Sequence, residues 1–130
     1  MILALRTDTN RAFLGLLSAA GEILQSKDWD AGRQLSVQLP AAIDELLSSA
    51  NTEYKDVTGI IVYEGPGSFT GLRIGITIVN TMAHELKIPI VGSTSDNWIK
   101  DGIEKLVNAT ADTIVMPIYG GEANITKPRK

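Results

Sequence analysis

The sequence predicts an α/β domain built on a mixed sheet, and three observations carry that expectation. Three short strand-like segments joined by tight turns open the chain, at 2–5, 11–18 and 22–29. A nearly uniform apolar, β-branched run, VTGIIVY at 57–63, reads as a central strand buried on both faces. A helical pattern at 71–86 then leads within two residues to a second such run, IPIV at 88–91. The first observation predicts an antiparallel meander, and the other two a βαβ unit with a right-handed crossover.

Each element has its own warrant. Residues 2–5 (ILAL) are a short buried strand, and Thr7, Asp8, Thr9 and Asn10 supply turn chemistry. In RAFLGLLS, Ala12, Leu14 and Leu16 share one face, with Phe13 and Leu17 on the other. Ala20 and Gly21 form a hairpin turn into EILQSKDW. Residues 30–36 are polar and read as a loop. A helix follows at 37–50, where Leu39, Ile43, Leu46, Leu47 and Ala50 share a face and Pro40 fits the first turn. After the 71–86 helix and the 88–91 strand, residues 95–107 form a third helix, with Ser95 or Asp96 as its cap. TIVMPIY at 113–119 reads as a last strand, closing one domain over 1–119. From Gly120 the pattern is lost, and 120–130 reads as a flexible tail with a basic end. This order resembles one half of the actin, hexokinase and Hsp70 superfamily, a ribonuclease-H-like core.

Composition narrows the function classes. The chain has 130 residues, 44% of them hydrophobic, which suits one packed domain. The net charge of −3 argues against a surface that grips nucleic acid unaided. Without cysteine, disulfides, thiolate catalysis and zinc–sulfur sites are excluded. His84 is the one histidine, so a histidine-rich metal cluster is excluded too. The start MILALRTDT lacks the pattern of a signal peptide, and no apolar window is long enough to span a membrane. A soluble cytoplasmic protein is expected.

The stretch EGPGSFTGLRIG, 64–75, asks for a chemical reading. Gly65, Gly67 and Gly71 tolerate positive φ, and Ser68 or Thr70 can cap the following helix. The helix start favours anions. Yet there is no lysine for a P-loop, the glycine spacing is one residue too long for a dinucleotide fingerprint, and GxSxG is absent. His84 lies about 20 Å further along the helix, on a polar stripe with Arg73, Thr77 and Asn80, too far to serve Ser68 as a base. Residues alone leave a tight strand-to-helix turn and an anion or partner site both open.

On that helix Leu72, Gly75, Ile76, Val79, Met82, Ala83 and Leu86 share one arc, wide enough to bury the helix on its sheet. Ile74 and Ile78 fall outside it. They are either covered by the 37–50 helix or meet a partner.

GPGSFTGLRIG resembles the corresponding motif of the TsaB (YeaZ) family, which serves the synthesis of N6-threonylcarbamoyladenosine on tRNA. MILALRTDTNRAFLGLL, RQLSVQLPAAIDELL and IPIVGSTS resemble further family segments, collinear over about 1–98, and IVMPIYGGEANI is a weaker match. Three departures stand out. Arg6 occupies the position of a usual aspartate, and an arginine cannot coordinate Mg²⁺. Asp8, two residues on, is a shifted carboxylate that could take the place of that acid. Leu35 replaces a usual histidine, and the chain is expected to comprise only one of the family's two actin-like halves.

The resemblance implies a non-catalytic partner of a TsaD-type catalytic subunit, with no cofactor and no metal of its own and tRNA reached only through the complex. It implies docking, or self-association as a homodimer, through helices 37–50 and 71–86. The expected interface residues are Ser68, Phe69, Thr70, Gly71, Arg73, Ile74 and Ile78, and no catalytic residue is assigned. The rival readings are an ATP-binding phosphotransferase or ATPase half of the same superfamily and a diverged homodimeric module. A peptidase has no metal ligands or nucleophile triad behind it.

Overall fold

The apolar runs at the start of the chain pair where their alternation predicts. In a computed structural model that describes residues 1–94, 96–110 and 114–118, β1 (Ile2–Arg6) pairs antiparallel with β2 (Arg11–Leu17), and β2 with β3 (Ile23–Asp30). A bulge at Leu16/Leu17 shifts the β2–β3 register. β4 (Gly59–Tyr63) runs parallel to β1, and β5 (Ile90–Ser93) parallel to β4. The resulting order, β3-β2-β1-β4-β5, is that of a ribonuclease-H-like, actin-like core.

The helices sit on both faces. α1 (Leu35–Ser49) packs on β2 and β3, and α2 (Phe69–Leu86) on β1, β4 and β5. α3 (Trp98–Leu106) covers the opposite face over β4 and β5. Strand alternation sorts the core accordingly. Leu3, Leu5, Leu14, Leu16 and Ile60 face α1 and α2 and are completely buried. Ile61 faces Gly102 of α3, where a Cβ would collide with it. Trp98 packs edge-on between Phe13 and Tyr63, at 6.0 and 6.1 Å between ring centroids.

Several boundaries differ from the sequence reading, each for a local reason. α1 starts at Leu35, after a 3₁₀ turn at Gly32–Gln34, because Leu35 itself is buried. Pro40 therefore lies inside the helix, beyond its first turn. β4 begins at Gly59, since Val57 closes a 3₁₀ turn, Tyr54–Asp56, by donating to the Tyr54 carbonyl. β5 begins two residues late because Ile88 belongs to the end of α2. Lys87 takes the left-handed conformation there (φ 57°), and the Ile88 N–H donates to the Ala83 carbonyl at 3.0 Å.

The N-cap of α3 is Asn97, without a side-chain cap bond. Asp96 stands one residue earlier in a turn, and Ser95 lies outside the described residues. The strand expected at 113–119 does not form where it can be seen. Residues 114–118 carry no ladder, because Val115 exchanges its hydrogen bonds with the Asn80 side chain instead of with β5. Residues 120–130, read as a tail, lie outside the described residues. Among the described residues no helix is long and apolar enough to cross a membrane.

Candidate functional site: the groove between α1 and α2

The glycine-rich stretch is a seat for the start of α2. Only Gly65 has a positive φ, +122°, and a Cβ there would also collide with the Ile118 carbonyl. Gly67 and Gly71 are needed for close approach, since side chains there would run into Asp8 and into the Thr7 carbonyl. The Ser68 N–H donates to the Asp8 carbonyl at 2.8 Å, and the Thr7 hydroxyl to the Gly71 carbonyl at 2.8 Å. Ser68 is the N-cap residue by position, but neither it nor Thr70 caps α2 through a side chain. The β1–β2 turn thus holds the helix start directly.

That seat aims one face of α2 at α1. Between them lies an open groove of about 570 Å³, floored by Ile74 and Ile78 and edged by Ser36, Pro40, Phe69, Thr70, Arg73 and Thr77. Ile74 and Ile78 are half-buried. They pack against the core with one side and line the groove with the other. Helix α1 therefore covers them only in part. Phe69 stands 51% exposed at the mouth. Pro40 has no N–H to offer the Ser36 carbonyl one turn back, so that oxygen lacks its helical partner at the rim.

Five of the seven expected interface residues, Phe69, Thr70, Arg73, Ile74 and Ile78, line this groove. Ser68 and Gly71 do not. The Ser68 N–H and the Gly71 carbonyl bond the β1–β2 turn, and Ser68 is exposed. Ser36 was missed because the helix start was placed two residues late, and Pro40 was read only as a first-turn residue of that helix. Thr77 was read as part of a polar stripe, and its spacing from Arg73 is the signal that could have found it.

A second cluster lies at the carboxyl ends of the parallel strands. The Arg6 guanidinium donates to both carboxylate oxygens of Asp8, at 2.8 and 3.1 Å, and sits 3.8 Å above the Tyr63 ring. These bonds to Asp8 hold the Arg6 pKa above its ordinary value, against a smaller opposing effect of burial. Asp8 lies on the same side as Arg6, but the guanidinium engages both of its oxygens. Glu64, at the end of β4, has its carboxyl pKa raised by burial, partly offset by Lys105. His84 is exposed on α2. Among the described residues no three His, Asp or Glu side chains are grouped to hold a metal ion.

Residues 29–99, which span the groove and the seat, match the family model of TsaD, tRNA N6-adenosine threonylcarbamoyltransferase. The tRNA threonylcarbamoyladenosine biosynthesis protein TsaB of Bacillus subtilis (strain 168) is 42% identical over 60 residues, 46% of this chain and 26% of that protein. TsaB of Escherichia coli (strain K12) is 27% identical over 96 residues, 69% of this chain and 41% of that protein. Among solved structures, YeaZ from Pseudomonas aeruginosa superposes with a TM-score of 0.66 at 32% identity, over 72% of this chain and 43% of that one. The chain thus spans less than half the length of each of these relatives. A matched TsaD model that takes in β4, β5 and both groove helices, together with the TsaB and YeaZ relatives, makes this chain a member of the TsaD-type family, of the TsaB (YeaZ) kind.

Proposed function

We propose that this chain serves tRNA threonylcarbamoyladenosine synthesis as a non-catalytic partner of a TsaD-type subunit, docking it through the α1–α2 groove. The observation that carries the reading is the pair Ile74 and Ile78, half-buried on adjacent turns of α2 and open to an apolar-floored groove. Phe69 gives the groove an aromatic anchor at its mouth. Ser36, Thr70, Arg73 and Thr77 give it a polar rim, the usual anatomy of a docking surface. The kinship with TsaB proteins supplies the pathway.

The Arg6–Asp8 pair supports the non-catalytic part of the reading. It puts a cation where a phosphate-bound metal would need an acid, and it engages the neighbouring carboxylate. It also weighs against the rival phosphotransferase or ATPase. With a net charge of −3, the chain would meet tRNA through the complex rather than alone.

Mixing the chain with a TsaD-type subunit of the same source, followed by size-exclusion chromatography and calorimetry, tests the reading. A stable complex is expected, and blocking the groove by substitution at Ile74 should abolish it. Self-association alone would assign the groove to a second copy, the homodimeric alternative. Neither association would remove the docking reading.

A further inference from the structure

Helix α2 is held from two sides, and only one of them is another helix. On one flank Ile74 and Ile78 meet α1. On the other flank, about 120–160° around the helix at 100° per residue, Asn80 faces residues 114–118. Its amide donates to the Val115 carbonyl at 2.8 Å and its oxygen accepts from the Val115 N–H at 3.1 Å. One side chain therefore satisfies both backbone groups of one residue, as a neighbouring strand would. Val115 is 4% exposed and packs over Gly92 of β5, close enough to occupy the space of a Cβ there. Three residues on, the Ile118 N–H donates to the Glu64 carbonyl at 2.6 Å, and the Ile118 carbonyl fills the space that a side chain on Gly65 would need. The same short segment thus grips the middle of α2, the end of β4 and the glycine turn from which α2 starts.

We infer that segment 114–118 is a latch that fixes the sideways position of α2 and so sets the width of the α1–α2 groove, with Asn80 as its positioning residue. This rests on the docking role proposed for the groove, which it extends to that groove's control. A helix on a sheet slides more easily than it bends, and packed elements settle into discrete positions. With the latch closed, α2 is wedged between segment 114–118 and α1. With Val115 withdrawn, the β1–β2 turn still holds the start of α2, but its middle loses the restraint on that flank, and the groove closes or widens.

Isoleucine-methyl NMR of the chain alone reads the latch directly. Two variants remove it from opposite ends. Asn80→Ala acts on α2, and Val115→Ala acts on the segment without touching α2. Both should keep a cooperative thermal melt and shift the Ile74 and Ile78 methyl signals along the same direction. Amide exchange at Val115 and Ile118 should rise in both. Affinity for a TsaD-type subunit should weaken about 2- to 30-fold, the scale of coupling carried through packed elements. Unchanged Ile74 and Ile78 signals in both variants overturn the latch, as do shifts confined to Asn80→Ala, which would reflect only a local change in α2. If the unaltered chain does not bind a TsaD-type subunit, the docking role falls, and the methyl signals still decide the latch.

Discussion

The Thr7 hydroxyl donates to the Gly71 carbonyl across 2.8 Å, and its side chain fills the space beside Gly75. Thr7 itself is completely buried. The glycines of GLRIG are thus shaped by a residue sixty-odd positions earlier, just past the end of β1, and the motif seats the helix.

A Cβ on Gly75 collides with Thr7 Oγ1 and Cγ2. Gly75→Ala should therefore destabilise the domain by about 1–3 kcal/mol through overpacking. Adding Thr7→Ala should recover part of that loss, although Thr7→Ala alone destabilises by removing a buried hydrogen bond. A double-mutant cycle by chemical denaturation measures the coupling. Strict additivity would mean that the helix is not seated on Thr7.

Glu64 gives the stability a pH dependence. Burial raises its carboxyl pKa in the folded state, against a weaker pull from Lys105. The folded chain thus holds a proton there more firmly than the unfolded chain does. The associated stability is present below the unfolded pKa and is lost as pH rises through the folded one. Glu64→Gln should accordingly stabilise the domain at neutral pH, and its advantage should shrink as pH falls towards 4. Thermal melts across that range check the sign, and an advantage that grows in acid would contradict it.

Arg6 leads to a prediction about nucleotide. With the guanidinium on both oxygens of Asp8 and stacked on Tyr63, the carboxyl ends of β1 and β4 present a cation already paired. Calorimetry of the purified chain with Mg-ATP should show no binding at cellular nucleotide concentrations and no turnover. Micromolar affinity would favour the rival phosphotransferase reading.

How far the sequence was legible depends on where the deciding contact lies. β1, β2 and β4 were readable because their apolar runs are buried by neighbours on either side, so local pattern and tertiary role agree. Residues 114–118 carry the same apolar pattern, but the partner of Val115 is the Asn80 side chain, and no strand pattern reveals that. The glycines announced a tight turn. Which of them needs positive φ and which needs only room depends on Ile118, Asp8 and Thr7, all distant in sequence. The Ile74 and Ile78 stripe stood out because helical projection needs only local residues. The 37–50 helix was read as its other wall, but Ser36 was not, because it depends on where α1 begins.

The sharpest test separates the groove from the core on one helix. Ile74 and Ile78 are half-buried at the groove, whereas Val79 is fully buried against the sheet. Burying a whole aliphatic side chain contributes about 1.5–3 kcal/mol, and a carboxylate in its place adds the penalty of a desolvated, unpaired charge. Val79→Glu should therefore unfold the domain. Ile74→Glu and Ile78→Glu keep part of their surface in the open groove, so each should lower the melting temperature only moderately while abolishing association with a TsaD-type subunit. Thermal melts and size-exclusion chromatography of the three variants distinguish the outcomes. Should Ile74→Glu melt the domain as badly as Val79→Glu, the stripe is core. Should it leave both melting and association unchanged, the stripe is ordinary surface. In either case the groove would lose its claim to the partner, and the proposed role would rest on kinship with TsaB alone.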